Sequence, residues 1–206
     1  ATLGSNTYQA TVDGLYDGML ITYYIYGVNS EGIVQTYPNN APDDSIVFIL
    51  GDLPDLYSND FENNADDWVV GYPSDLATAG IWELAEPVAT YNDDGNQIQP
   101  DSDNSDLGTY CFITGNGYEE GNGGYDDVDN GATTLLSPVF DLSDLDEAVL
   151  TYYRWYTNDV GDNGGSDKWV VGVSNNGGIT WTELENVSSS NLSWEKKKFI
   201  LSNYID

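Results

Sequence analysis

Apolar runs in this chain are short, rich in Tyr, Val, Ile and Thr, and each is cut off by a glycine, proline, asparagine or aspartate turn signal. TYQATV at 7–12, MLITYYIYGV at 19–28, residues 32–37 and SIVFIL at 45–50 come first. A Trp-bearing run follows near 80–84, then TYCFITGN at 109–116, LLSPVFDL at 135–142 and AVLTYYRWYTN at 148–158. KWVVGVSNN at 168–176, TWTEL at 180–184 and WEKKKFIL at 194–201 complete the set. Aromatic and β-branched residues in short runs between turn formers suit strands, and no helical period is long enough for a crossover between parallel strands. The expected fold is all-β, an antiparallel β-sandwich. With 22 Gly and 7 Pro in 206 residues, turns are frequent.

Charge bounds the partners. Twenty-eight acidic residues precede the first basic one, Arg154, and the net charge is -30. Such a surface repels nucleic-acid phosphates and anionic membranes, so neither nucleic acid nor membrane insertion is expected and cations are the natural partners. Self-repulsion opposes compaction unless salt screens it or bound metal ions neutralise acidic loops, and both remedies point outside the cell. The expected location is secreted or cell-surface. No run approaches the length of a membrane-spanning helix, and the chain opens without a charged-then-apolar leader.

The chain has no histidine, which removes the usual Ser or Cys triads, imidazole zinc sites and His general bases. Its lone cysteine, Cys111, lies between Tyr110 and Phe112 and reads as a small buried apolar residue. A carboxylate pair would be the remaining route to catalysis, yet 35 acidic residues supply such pairs by chance. The chain is read as non-enzymatic.

Oxygen-rich loops suit Ca²⁺, which takes 6–8 oxygen ligands in irregular geometry. Asp60 and Glu62, two apart in an expected strand, would share one face while Phe61 points to the core. Asp101, Asp103 and Asp106 form a loop that opens like an EF-hand but carries Asp at the sixth position and Phe112 at the twelfth, so it is not one. Asp126, Asp127, Asp129 and Asn130 precede Gly131 in a third acidic turn. Two further patterns are structural. Ser174, Asn176, Gly178, Thr180 and Trp181 resemble an Asp-box hairpin with Asn176 in the usual Asp position, and Lys196, Lys197 and Lys198 read as protection of a strand edge. Arg154, alone in an aromatic strand, reads as an ion-pair partner.

Two resemblances follow from the order of these blocks. GMLITYYI, a Ser-Glu-Gly turn and a Tyr-Pro to Ala-Pro-Asp segment ending in FILG resemble the C-terminal part of a fibronectin type III-like module, over residues 1–51, with 52–58 as linker. Asp60-Phe61-Glu62 with Trp68, then GIWE at 80–83, GTYCFITG at 108–115, DVD at 127–129 and LSPVFDL at 136–142 resemble the jelly-roll (MAM-like, cleaved-adhesin-like) accessory module of secreted bacterial peptidases such as zinc carboxypeptidases, over 59–206. Those modules continue with an acidic pair on a last strand, whereas this chain stops at Tyr204-Ile205-Asp206. The resemblance therefore implies a jelly roll incomplete at its C-terminus, either a fragment or a fold completed by a neighbouring chain. It also implies Ca²⁺ between the start of the first strand and adjoining loops, which nominates Glu62, Asp103, Asp127 and Asp129 as ligands. The function implied is a non-catalytic, calcium-stabilised accessory or adhesion module, attached to a peptidase or other hydrolase. Its partners would be calcium ions, a glycan or protein on a surface, and neighbouring copies or domains of the parent protein. The alternatives are a carbohydrate-binding module and a structural subunit of an extracellular assembly.

Overall fold

In a computed structural model the described residues are 9–42, 45–51, 54–63, 65–117, 124, 127–145, 147–161 and 163–205. The chain is all-β there: fourteen strands in two-stranded antiparallel sheets, with a single short 3-10 turn at Leu201–Asn203. Two units divide after Ser58.

In residues 1–58, β1 (Leu20–Tyr23) pairs with β4 (Ile46–Ile49), and β2 (Ile25–Val28) pairs with β3 (Val34–Tyr37). The run 19–28, expected as one strand, is two, because the chain changes partner at Tyr24. Residues 9–12 carry no strand, and 7 and 8 lie outside the described residues. The β2–β3 turn is set locally. Asn29 Oδ1 accepts the N–H groups of Glu31 and Ile33, both at 2.9 Å, which closes the loop that Gly32 (φ 80°) permits. Ile25, Tyr26, Val34 and Tyr37 stay exposed on the two faces of this ribbon.

In residues 59–206 the sequence runs become β6 (Trp82–Ala85), β9 (Cys111–Thr114), β11 (Val149–Tyr156), β12 (Trp169–Val173), β13 (Thr182–Val187) and β14 (Asn191–Ile200). The run at 135–142 shrinks to β10 (Leu135–Leu136), which pairs with β5 (Val69–Val70). Asp75 fastens this pair: its carboxylate takes the N–H groups of Tyr72 and Thr134 and the Thr134 hydroxyl. Within the polar stretch 89–106, which carries none of the apolar runs, β7 (Thr90–Tyr91) and β8 (Gln97–Gln99) form a ribbon. Its one apolar strand residue in β8, Ile98, is only 3% exposed, and the Ile98 carbonyl accepts the Trp155 indole N–H at 2.8 Å. Tertiary packing against β11 and β14, absent from local pattern, makes this segment a strand.

Strands β11 to β14 are nested. β11 pairs with β14 from Val149↔Ile200 to Tyr156↔Asn191, and inside that pair β12 and β13 form a hairpin. The hairpin's turn is the one the Ser174–Trp181 pattern predicts. Ser174 Oγ accepts the Gly178 N–H, Asn176 Oδ1 accepts the Thr180 N–H, both at 2.9 Å, and Gly177 and Gly178 supply φ of 70° and 83°. Asn158 joins inner hairpin to outer pair: its side-chain amide donates to the carbonyls of Asp167 and Ser188 and accepts the Asp167 N–H.

Between the two ribbons lies a buried ionic group. Arg154 Nη2 meets Glu185 Oε1 at 2.8 Å and Glu195 Oε2 at 3.1 Å, Lys197 Nζ meets the same two carboxylates, and Tyr152 donates to Glu185 Oε2 at 2.5 Å. The Arg154 guanidinium also lies 5.9 Å from the centre of a Trp169 ring. Lys197 is thus an inward-directed partner rather than only an edge charge. Burial alone would raise the Glu185 carboxyl, but donors from Tyr152, Arg154 and Lys197 outweigh it and hold Glu185 below its ordinary value.

Candidate functional site

The first acidic segment is not a strand. Asn59 Oδ1 accepts the Phe61 N–H at 2.7 Å and Asp60 Oδ1 accepts the Glu62 N–H at 3.2 Å, so two successive side chains curl the backbone into a bend with Phe61 at φ 65°. Strand alternation therefore does not place Asp60 and Glu62 on one face. Phe61 still turns inward, packing edge-on against Trp68 and Phe112 at 5.3 and 5.2 Å between ring centres. That anchor carries Glu62 to the chain entering β9, where Glu62 Oε1 accepts the N–H groups of Thr109 at 2.7 Å and Tyr110 at 2.6 Å.

The second segment approaches the same stretch. Asp101 and Asp106 are exposed, but Asp103 is 8% exposed, and its neighbour Ser102 is tied to β14 through the Trp194 indole N–H. The Ser105 hydroxyl donates to Asp103 Oδ2. Asp103 Oδ1 is buried and has no hydrogen-bond partner. Gly108 packs closely here: a Cβ at that position would displace the Asp103 carboxylate and the Ser105 hydroxyl. Glu62 and Asp103 thus flank the 108–111 stretch from two loops, and both fields reach Cys111. Burial first, then Asp103 and then Glu62, push the Cys111 thiol up to about 12, so it stays protonated and inert at neutral pH.

Asp127 and Asp129 lie elsewhere. Asp129 is exposed, and its main chain bridges residues 78 and 79, with the Thr78 N–H donating to its carbonyl at 2.9 Å. Asp127 packs its carbonyl on Gly80, where a Cβ would come within 2.6 Å, and its carboxylate over Gly161. Asp126 lies outside the described residues. The β6–β9 ladder separates the two corners: residue 80 precedes the Trp82↔Thr114 end, whereas Glu62 and Asp103 flank the Ala85↔Cys111 end. Four residues of strand at ~3.3 Å each span roughly 10 Å, far beyond the ~2.3–2.6 Å at which Ca²⁺ ligands meet one ion. The four nominated ligands therefore do not form one site; Glu62 and Asp103 share a corner and Asp127 and Asp129 do not reach it. Among the described residues, no three carboxylate or thiol side chains gather as a metal centre.

Beside the protonated Cys111 thiol, a buried carboxylate oxygen without a partner fits a hard cation such as Ca²⁺, which would draw its remaining ligands from backbone carbonyls and water. Ser105, which buttresses Asp103, was not among the nominated residues, although the Asp103-Asn-Ser105 spacing of a polar turn is its local signal.

A second feature lies at the other end of the ladder. An open surface hollow of about 590 Å³ is lined by residues 79–83 and, as a neighbouring wall hydrogen-bonded to them through the Gly115 N–H and the Ile81 carbonyl, by residues 115–117. Asn116 holds that wall: its side-chain oxygen accepts from Val88 N–H and Gln99 Nε2, both at 2.9 Å. No sequence motif singled it out. The Gly115-Asn116-Gly117 turn signal is the only local clue.

Comparison with known proteins finds no matching family model, no matching curated protein and no matching solved structure.

Proposed function

We propose that the chain is a non-catalytic accessory or adhesion module of a secreted or cell-surface bacterial protein, of the kind joined to a peptidase or other hydrolase, and that Ca²⁺ stabilises it at the Asp103–Glu62 corner. The observation that supports this reading is Asp103 Oδ1, a carboxylate oxygen buried without a partner. Such an oxygen costs about 1–3 kcal/mol or more when uncompensated, and a cation is the compensation that the acidic surroundings attract. The jelly-roll and fibronectin type III-like identities of the two units belong to the same proposal, supported by block order and the antiparallel all-β architecture.

The test is thermal unfolding in chelator, in Ca²⁺ and in NaCl of equal ionic strength. At tenfold excess over its dissociation constant, one Ca²⁺ adds about 1.4 kcal/mol, so melting rises with Ca²⁺ beyond what NaCl provides. Asp103→Asn should abolish the Ca²⁺-specific part, while Asp129→Asn leaves it in place. Sodium matching calcium, or an Asp103→Asn protein that still responds, would sink the reading.

A further inference from the structure

We propose that Asn163, which precedes Gly164, is a self-modification site at which water converts the side-chain amide to aspartate and isoaspartate. The inference goes beyond the calcium corner and does not depend on it.

The chemistry needs only these two residues and solvent. The Gly164 nitrogen attacks Asn163 Cγ and forms a new C–N bond; its proton passes to a base in solvent, and the side-chain nitrogen takes up a proton and leaves as ammonia. Water then opens the five-membered imide at either carbonyl. One opening gives aspartate and the other gives isoaspartate, whose main chain runs through Cβ and Cγ. No oxidant, metal or enzyme enters, and each event adds one negative charge. Glycine favours the attack because it has no Cβ to shield its nitrogen.

The fold chooses among sequences that are locally alike. Four Asn-Gly pairs lie in the described residues, at 116–117, 130–131, 163–164 and 176–177. To present Cγ to the next nitrogen, an Asn amide has to rotate free of its partners. Asn116 is held by three hydrogen bonds, accepted from the Val88 N–H and Gln99 Nε2 and donated to the Glu86 carbonyl. Asn176 is held by three as well, from the Ser174 hydroxyl and the Thr180 N–H and to Thr180 Oγ1. Asn130 donates to Thr78 Oγ1 at 2.6 Å. Asn163 is exposed, and its side-chain amide makes no hydrogen bond among the described residues. An Asn side chain commonly bonds the backbone two residues on, but here the Gly165 N–H is taken by the Asn158 carbonyl. The Asn163 carbonyl accepts the Ser166 N–H at 3.1 Å, so the pair opens a tight turn with Gly164 and Gly165 at its centre. Isoaspartate lengthens by one methylene this turn beside Asn158, the residue that joins inner hairpin to outer pair.

The experiment incubates the folded full chain in mildly alkaline buffer, samples it over time, and maps proteolytic peptides by mass and by chromatography that resolves aspartate from isoaspartate. Each hydrogen bond that has to open first slows the step by roughly 2- to 10-fold, so Asn163 should convert at least ~10-fold faster than Asn116 and Asn176, with Asn130 between. Both products should appear at 163. The same incubation in urea should bring the four rates together, because the selectivity belongs to the fold. Asn163→Gln, whose longer side chain closes the ring poorly, should remove the early product and leave the other sites unchanged. Conversion at Asn116 or Asn176 as fast as at Asn163, or a ranking that survives in urea, would overturn the proposal. If Asn163→Gln fails to fold, the ranking in the unsubstituted chain alone decides.

Discussion

Arg154→Met lowers the stability of the second unit by about 3 kcal/mol, the lower end of the ~3–5 kcal/mol expected when one partner of a buried ion pair is removed. The cost comes from what is left behind. Glu185 is 9% exposed and would keep its charge with Lys197 as the one remaining basic neighbour, 3.2 Å away and itself shared with Glu195. Glu185→Gln added to Arg154→Met should recover part of the loss, because the stranded charge disappears while the Tyr152 hydroxyl keeps an acceptor. Denaturant midpoints at constant slope measure both. The same group predicts an acid dependence. Glu185 and Glu195 are held below their ordinary 4.5, so they contribute stability that is whole above that pH and is lost as pH falls through their lowered values. Arg154→Met should flatten this limb of the stability profile. A single variant costing less than about 1 kcal/mol, or an unchanged acid limb, would show that water already reaches the group.

Phe112→Ala should cost about 3 kcal/mol, in line with deletion of an aromatic ring from a packed cluster. It should also blunt the calcium response. Phe112 touches both Phe61 and Trp68, at 5.2 and 5.9 Å between ring centres, and Phe61 is the residue whose left-handed backbone positions Glu62. Without the ring, Phe61 loses the contact that offsets its strained φ, and Glu62 loses its fixed reach to the amides of 109 and 110. Phe112→Leu keeps volume without the edge-to-face geometry and should fall between. Calcium-dependent melting that is undiminished in Phe112→Ala would separate the aromatic cluster from the acidic corner.

What could be read from sequence was what is decided locally. The Ser174–Trp181 turn forms as its pattern implies because Ser, Asn and Gly at those spacings hydrogen-bond within the turn itself. The aromatic strand around Arg154 announces itself by a long β-branched and aromatic run. Asp60 and Glu62 misled for the same local reason: Asn59 and Asp60 are side-chain caps for the next turn, and capping overrides strand alternation. β8 was hidden because Gln97 and Gln99 flank a single isoleucine, and only the Trp155 side of β11, far along the chain, turns that triplet into core. The acidic corner was half legible. Sequence marks which carboxylates are abundant in loops but not which of Asp101, Asp103 and Asp106 turns inward, since a β14 tryptophan holding the neighbouring Ser102 carbonyl contributes to that. The split of Glu62 and Asp103 from Asp127 and Asp129 depends on the β6–β9 register, which no local pattern encodes.

The nesting of β12 and β13 inside β11 and β14 has a kinetic consequence. Closing the outer pair from an open chain requires residues 157–190 to loop back, whereas a preformed inner hairpin leaves only 157–168 and 188–190 unconstrained. Loop-closure entropy rises with the logarithm of length, so the inner hairpin, held by its own turn, lowers the barrier for the outer one. The region should zip from Gly177 outward, with amide protection in pulse-labelling rising in 169–187 before 149–156, and Asn158 becoming bonded only when the second ribbon arrives. Simultaneous protection of both ribbons would argue for one concerted collapse instead.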